Sequence, residues 1–133
     1  MIELNNIPWD AEAIAALKAA EAFDTTGGLV TVESCAEEGA VLFEIVADGA
    51  RVALYALAVN RWAHGNEGVV CYAAGGKAGV SLTRGVLPLI EKQFVDCRAV
   101  KIETKRKALV HQLAKQGYRL DGFIMRKTLG VQH

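Results

Sequence analysis

Apolar positions recur with helical spacing near the start of the chain. Asp10 follows Trp9 and precedes an alanine-rich run, so Asp10 is a good N-cap and Trp9 can staple to Ile14. Ala13, Ile14, Leu17 and Ala20 make a narrow apolar stripe, and Thr25-Thr26-Gly27-Gly28 ends it. Residues 29–38 fit either a short strand at 29–32 or a short helix carrying Cys35 and ending at Gly39. A hairpin follows, with strands over 41–46 and 51–59 joined at Asp48-Gly49. The second of these is apolar at consecutive positions, which predicts a central strand covered on both faces. Gly65-Asn66-Glu67-Gly68 turns the chain into a third antiparallel strand over 69–73.

Gly75, Gly76 and Gly79 interrupt the pattern. Leu82, Val86, Leu89, Ile90 and Phe94 then return at helical spacing. Pro88 lies inside that run, so the helix is kinked there or starts later than the periodicity suggests. Residues 97–104 read as a strand, with Val100 and Ile102 on one face and Lys101 and Glu103 on the other. Thr104 is the expected cap of a helix holding Ala108, Leu109, Leu113 and Ala114, and Gly117 is the expected C′ residue. Residues 122–127 are expected to form a last strand. The class is therefore α/β, an α+β mixed sheet: an antiparallel meander, then helix-strand-helix-strand, with helices on both faces. A single domain over residues 1–133 is expected at this length.

Composition narrows the options. A hydrophobic content of 52% excludes a disordered chain. The apolar runs fall short of the roughly 18 residues a membrane span needs, and the start lacks a signal-peptide pattern, so a cytoplasmic protein without membrane contact is expected. Cys35, Cys71 and Cys97 are too widely spaced for a disulfide framework and read as reduced thiols. The formal net charge is zero, but acids dominate through Asp48, where Lys18 is the lone base, and bases dominate from Lys101 onward. That asymmetry suits a basic rim for an anionic ligand, or two halves facing each other within one fold or across a homodimer. With neither net positive charge nor aromatic-interleaved basic strands, nucleic acid is not an expected partner.

The stretch Ala73-Ala74-Gly75-Gly76-Lys77-Ala78-Gly79 lies between a strand and a helix. Glycines there allow tight paths with amides converging on an anion. The spacing fits neither a P-loop nor a dinucleotide fingerprint.

Taken with this glycine turn, the order of elements resembles the GNAT acyltransferase superfamily, and it is also similar to a small GNAT-like subgroup found in phages and prophages. The stretch from Ile102 through Leu109 to Gln116-Gly117-Tyr118 is similar to the family's fifth strand, its following helix and its "Gly-Phe" junction. The resemblance implies acetyl-CoA as cofactor, bound between a bulged fourth strand and a splayed fifth. It implies cofactor contacts from Val70, Cys71, Tyr72, Gly75, Gly76, Lys77, Ala78 and Gly79. Two family positions are altered: Ala73 stands where a long Arg or Gln side chain is usual, and Leu113 where a proton-donating Tyr is common.

Acyl transfer to an amine needs proton acceptors and donors near the reacting carbonyl. Tyr118, Tyr72 and Glu44 are the candidate catalytic groups, with Glu67 and His64 as weaker candidates. Lys77, Arg84 and the Lys105-Arg106-Lys107 run can face cofactor phosphates or simply be solvated. The expected function is an acyl-CoA-dependent N-acyltransferase acting on a small-molecule or protein amine. The alternative is a catalytically silent GNAT-like phage or prophage protein acting as a binding or structural module.

Overall fold

The computed structural model describes residues 1–75 and 82–130, the side chains of Leu82 and Thr83 aside. Five strands form one sheet in the order β1-β2-β3-β4-β5. They are β1 (Ile2–Asn6), β2 (Val41–Ala47), β3 (Ala50–Trp62), β4 (Gly65–Gly75) and β5 (Cys97–Lys101). The first four pair antiparallel, and β5 lies parallel to β4. The α-helices are α1 (Ala11–Lys18), α2 (Val32–Glu37), α3 (Leu87–Glu91) and α4 (Lys107–Lys115).

Local chemistry accounts for most of the helix ends. The Asp10 carboxylate accepts from the Ala13 N–H at 2.8 Å and starts α1. Beyond Lys18 the helix tightens into a 3-10 turn over Ala19–Phe23. The ambiguous 29–38 stretch is helical because Thr31 and Ser34 form a reciprocal capping box. Gly117, at φ +91°, closes α4, with Tyr118 N–H reaching back to the Leu113 carbonyl at 3.1 Å. Pro88 is explained by a late start: it sits in the first turn of α3, where a missing N–H costs little, and a wide turn over Leu82–Val86 precedes it.

The sheet is buried on both faces. On one, Leu42, Leu54 and Ala56 pack under Ala13 and Leu17 of α1 and Val32 and Cys35 of α2. On the other, Ile45, Ala53, Tyr55 and Leu57 meet Leu87 and Ile90 of α3, Phe94, and Leu113 of α4. β3 supplies both clusters from alternate residues, as its continuous apolar run predicts. Near the β4–β5 seam the Phe94 ring occupies the space a side chain at Gly68 would need.

The structure departs from expectation in several places, and residues 65–68, expected as a turn, are already the start of β4, paired with the end of β3. A strand at residues 2–6 pairs with β2, although its alternation, with polar Asn5 and Asn6, is too short to announce it. β5 stops at Lys101, short of Thr104. Thr104 does not cap α4; its hydroxyl accepts from the Arg106 N–H at 3.1 Å, and Arg106 takes the N-cap place. Residues 122–127 form no strand but run exposed, with Phe123 at 88% and Met125 at 96% exposure. Their backbone finds no ladder, so β-forming composition alone does not make them a sheet member. Among the described residues, no helix is long and apolar enough to cross a membrane.

Candidate functional site: a cleft between parting strands

The ladder between β4 and β5 runs from Asn66↔Cys97 to Val69↔Lys101 and stops. From Val70 to Gly75, β4 continues without β5 beside it. That divergence leaves a cleft of about 340 Å³. Val70, Ala73, Ala74 and Gly75 form one wall, Ile102, Arg106, Leu109 and Leu113 another, with Leu87 and Ile90 of α3 at its base. Ala19, Ala20 and Phe23 of the 3-10 turn line the remaining side. The walls are overwhelmingly apolar, which suits a flexible ligand arm with few polar groups.

A bulge next to the cleft sets which β4 side chains face it. Ala56 opposes Tyr72 and Leu57 opposes Val70, so Cys71 is an extra residue on β4. An unbroken strand would put residues 70 and 72 on one face. The bulge instead sends Val70 toward the α3–α4 side and leaves both Cys71 and Tyr72 against the α1–α2 cluster. Gly75 ends the strand at φ +105°, where a Cβ would lie 2.7 Å from the Val52 carbonyl oxygen. Only glycine fits that turn.

The expected cofactor residues therefore divide. Val70 and Gly75 line the cleft, whereas Cys71 and Tyr72 pack on the other face. Gly76, Lys77, Ala78 and Gly79 lie outside the described residues.

The three groups expected to handle protons are not brought together, and none is among the residues lining the cleft. The Tyr72 hydroxyl donates to the Val30 carbonyl at 2.7 Å, and burial pushes its pKa up to about 12. The Tyr118 hydroxyl donates to Glu91 Oε2 at 2.7 Å; burial, then the adjoining carboxylate, pushes it higher than usual. Glu44 accepts from Asn5 Nδ2 at 3.1 Å and from Arg51 Nε at 2.9 Å. Those two bonds hold its carboxyl below the usual range, which makes it a weaker base. His64 is exposed in its turn, and Glu67 Oε1 accepts from the Trp62 indole at 3.3 Å.

Sequence reasoning missed two residues of the cleft. Tyr55 lines it from β3, its ring stacked on Phe43 at 5.2 Å and its hydroxyl donating to Gln93 Oε1 at 2.6 Å. Burial raises that phenol to about 12. Phe23 was hidden because nothing in the alanine run shows the helix tightening into a turn that reaches the cleft. The guanidinium of Arg106 lies over the Phe23 ring, 4.9 Å from its centroid. Nearby, Thr25 Oγ1 donates to Glu103 at 2.8 Å and Arg126 donates to the Thr25 carbonyl at 2.6 Å. The Arg106 and Glu103 contacts tie the segment after α1 to the β5–α4 junction, and Arg126 ties it to the stretch after α4.

No family model matches the chain, and no curated protein matches it. Solved structures do share its fold. A ribosomal-protein-alanine N-acetyltransferase from Brucella melitensis superposes with a TM-score of 0.67 at 12% identity, covering 98% of this chain and 100% of that one. An aminoglycoside acetyltransferase from an uncultured soil metagenomic sample gives 0.63 at 14% identity, covering 98% and 99%. An aminoglycoside N-acetyltransferase in complex with CoA gives 0.59 at 9% identity, covering 96% and 95%. The chain thus has the mixed α/β fold of GNAT-like acetyltransferases.

Proposed function

We propose that the chain, as one domain over residues 1–133, is a GNAT-type N-acyltransferase of the cytoplasm that moves an acetyl group from acetyl-CoA to the amine of a small molecule or a protein. The observation that carries this reading is the parting of β4 and β5 beyond Val69 and Lys101, with an apolar cleft in the gap and a bulge at Cys71 beside it. The fold shared with acetyltransferases, one of them holding CoA, supports it.

When bound, acetyl-CoA supplies a thioester carbonyl open to attack by an amine. The residues present fit it: the β4 edge from Val70 onward has no β5 partner for its backbone groups, and the side chains around it are apolar. Val70 and Leu113, which line the cleft, would keep water from the thioester, and the free strand edge would offer amides to hold and polarise its carbonyl oxygen. Gly75, the last described residue of β4, leads into the Gly76-Lys77-Ala78-Gly79 stretch, whose composition suits phosphate oxygens. No ionisable carboxylate or imidazole lines the cleft among the described residues, so the amine must arrive neutral or lose its proton to solvent.

Titration calorimetry with acetyl-CoA tests binding. The expected result is affinity in the micromolar range that disappears in Ala20→Trp, which fills the cleft, and in Gly76→Val. Absence of binding by the unaltered protein at millimolar ligand would refute the proposal.

A second reading has its own observation. Leu113 occupies the common acid position, and the hydroxyls of Tyr55, Tyr72 and Tyr118 are all committed to other partners. A silent binding module would bind acetyl-CoA yet release no free thiol across a panel of amines. Thiol release above the uncatalysed rate with any of them excludes that module.

A further inference from the structure

We infer that Arg106 is the phosphate-recognising side chain of the cleft, supplying from the β5–α4 junction the positive charge that Ala73 does not supply from β4. This rests on the acyl-CoA reading above and adds to it a residue and the chemical group that the residue binds.

Arg106 is the one charged side chain among the described residues lining the cleft. Ala73, Ala74 and Gly75 line the same cleft, so its guanidinium shares this space with the strand end that leads into the glycine turn. Its charge is uncommitted among the described residues. Its guanidinium meets the Phe23 ring, its backbone N–H is held by Thr104 and its carbonyl accepts from the Leu109 and Val110 N–H groups, and no ion pair with a carboxylate forms there.

Asp24, next to Phe23 in the chain, and Glu103, in the β5–α4 junction, already have partners. Glu103 takes Lys101 at 3.3 Å and the Thr25 hydroxyl at 2.8 Å. Asp24 takes the Thr26 hydroxyl at 2.7 Å, the Thr26 N–H at 2.9 Å and the Gly28 N–H at 2.7 Å.

A guanidinium without a counter-ion at the rim of an apolar cleft is suited to an anionic ligand end. Its planar fork matches phosphate oxygens two at a time. Stacking on Phe23 restricts the side chain before the ligand arrives, which lowers the ordering cost of binding. An apolar cleft with one cationic rim would also sort the two ends of the cofactor, the arm toward the apolar walls and the phosphates toward Arg106.

Calorimetric titrations with CoA, dephospho-CoA and pantetheine, on the unaltered protein and on Arg106→Ala, test this. Arg106→Ala is expected to weaken CoA and dephospho-CoA by about tenfold or more. Pantetheine, which has no phosphate, should change by less than about twofold. A loss confined to CoA, with dephospho-CoA unaffected, assigns Arg106 to the 3′-phosphate rather than the diphosphate and still supports phosphate recognition.

Arg106→Lys should retain part of the affinity, and it guards against misfolding of the alanine variant. Equal losses for all three ligands would overturn the inference and leave Arg106 as a packing partner of Phe23. Unchanged CoA affinity would overturn it too. If the unaltered protein binds none of the three, the acyl-CoA reading itself has failed.

Discussion

Single residues carry more of the cleft's architecture than their size suggests. Gly75 has a positive φ and no room for a side chain, because a Cβ would press on the backbone of Val52 and Ala53. Gly75→Ala should therefore cost about 1–3 kcal/mol, read as a lowered urea midpoint with unchanged slope. Asp24 is held below the usual carboxylate range by the Thr26 hydroxyl first, then by the Thr26 and Gly28 amides. Its folded pKa is depressed, so its stabilisation is present above the unfolded value of about 4 and is lost as the pH falls through the folded value. Stability measured from pH 7 downward should fall less steeply in Asp24→Asn, because that variant starts without the contribution. A profile identical to that of the unaltered protein would show that the Asp24 turn does not matter to folding. At this scale the sequence was informative where chemistry is local. Asp10 as a cap and Gly117 as a helix terminator were legible because each acts within a few residues. Arg106 was legible only as one of three basic neighbours, since what singles it out is a ring 83 positions earlier in the chain.

Elements were readable in proportion to their periodicity. β3 announces itself by an apolar run that only a doubly covered strand explains, and β2 and β4 follow from the turns that flank it. β1 escaped because five residues of weak alternation gain their meaning from β2, which is more than thirty residues away. The expected strand at 122–127 failed for the converse reason: the residue types favour a strand, but no ladder takes them up. The bulge at Cys71 could not be read either, since an extra residue shows only when the opposing strand is counted against it. That uncounted residue also explains why the expected site split in two, with Val70 at the cleft and Tyr72 behind the sheet.

The whole molecule is a sheet clothed on both faces with one apolar stretch left bare. Leu120, Phe123, Ile124, Met125 and Leu129 are all more than half exposed, while Arg126 anchors their segment to the Thr25 carbonyl. Neither buried cluster includes any of these five. Truncation after Tyr118 should therefore lower the thermal midpoint by no more than a few degrees, about 1 kcal/mol or less, and should reduce binding of a hydrophobic dye. Loss of cooperative unfolding in the truncated chain would instead mean that the segment belongs to the core. The fold class was legible at this scale because alternating meander and helix patterns leave few ways to cover a sheet. The amine of the proposed reaction was not, because the first third of the chain carries no specific motif.

The seat of the Phe94 ring against Gly68 has a mechanical consequence. Two strands joined by a few rungs and then free behave like a pair of shears, and the ring lies at their rivet. A methyl group added at Gly68 would press on the Phe94 ring beside the last rungs, so Gly68→Ala must displace either the ring or the strand that carries it.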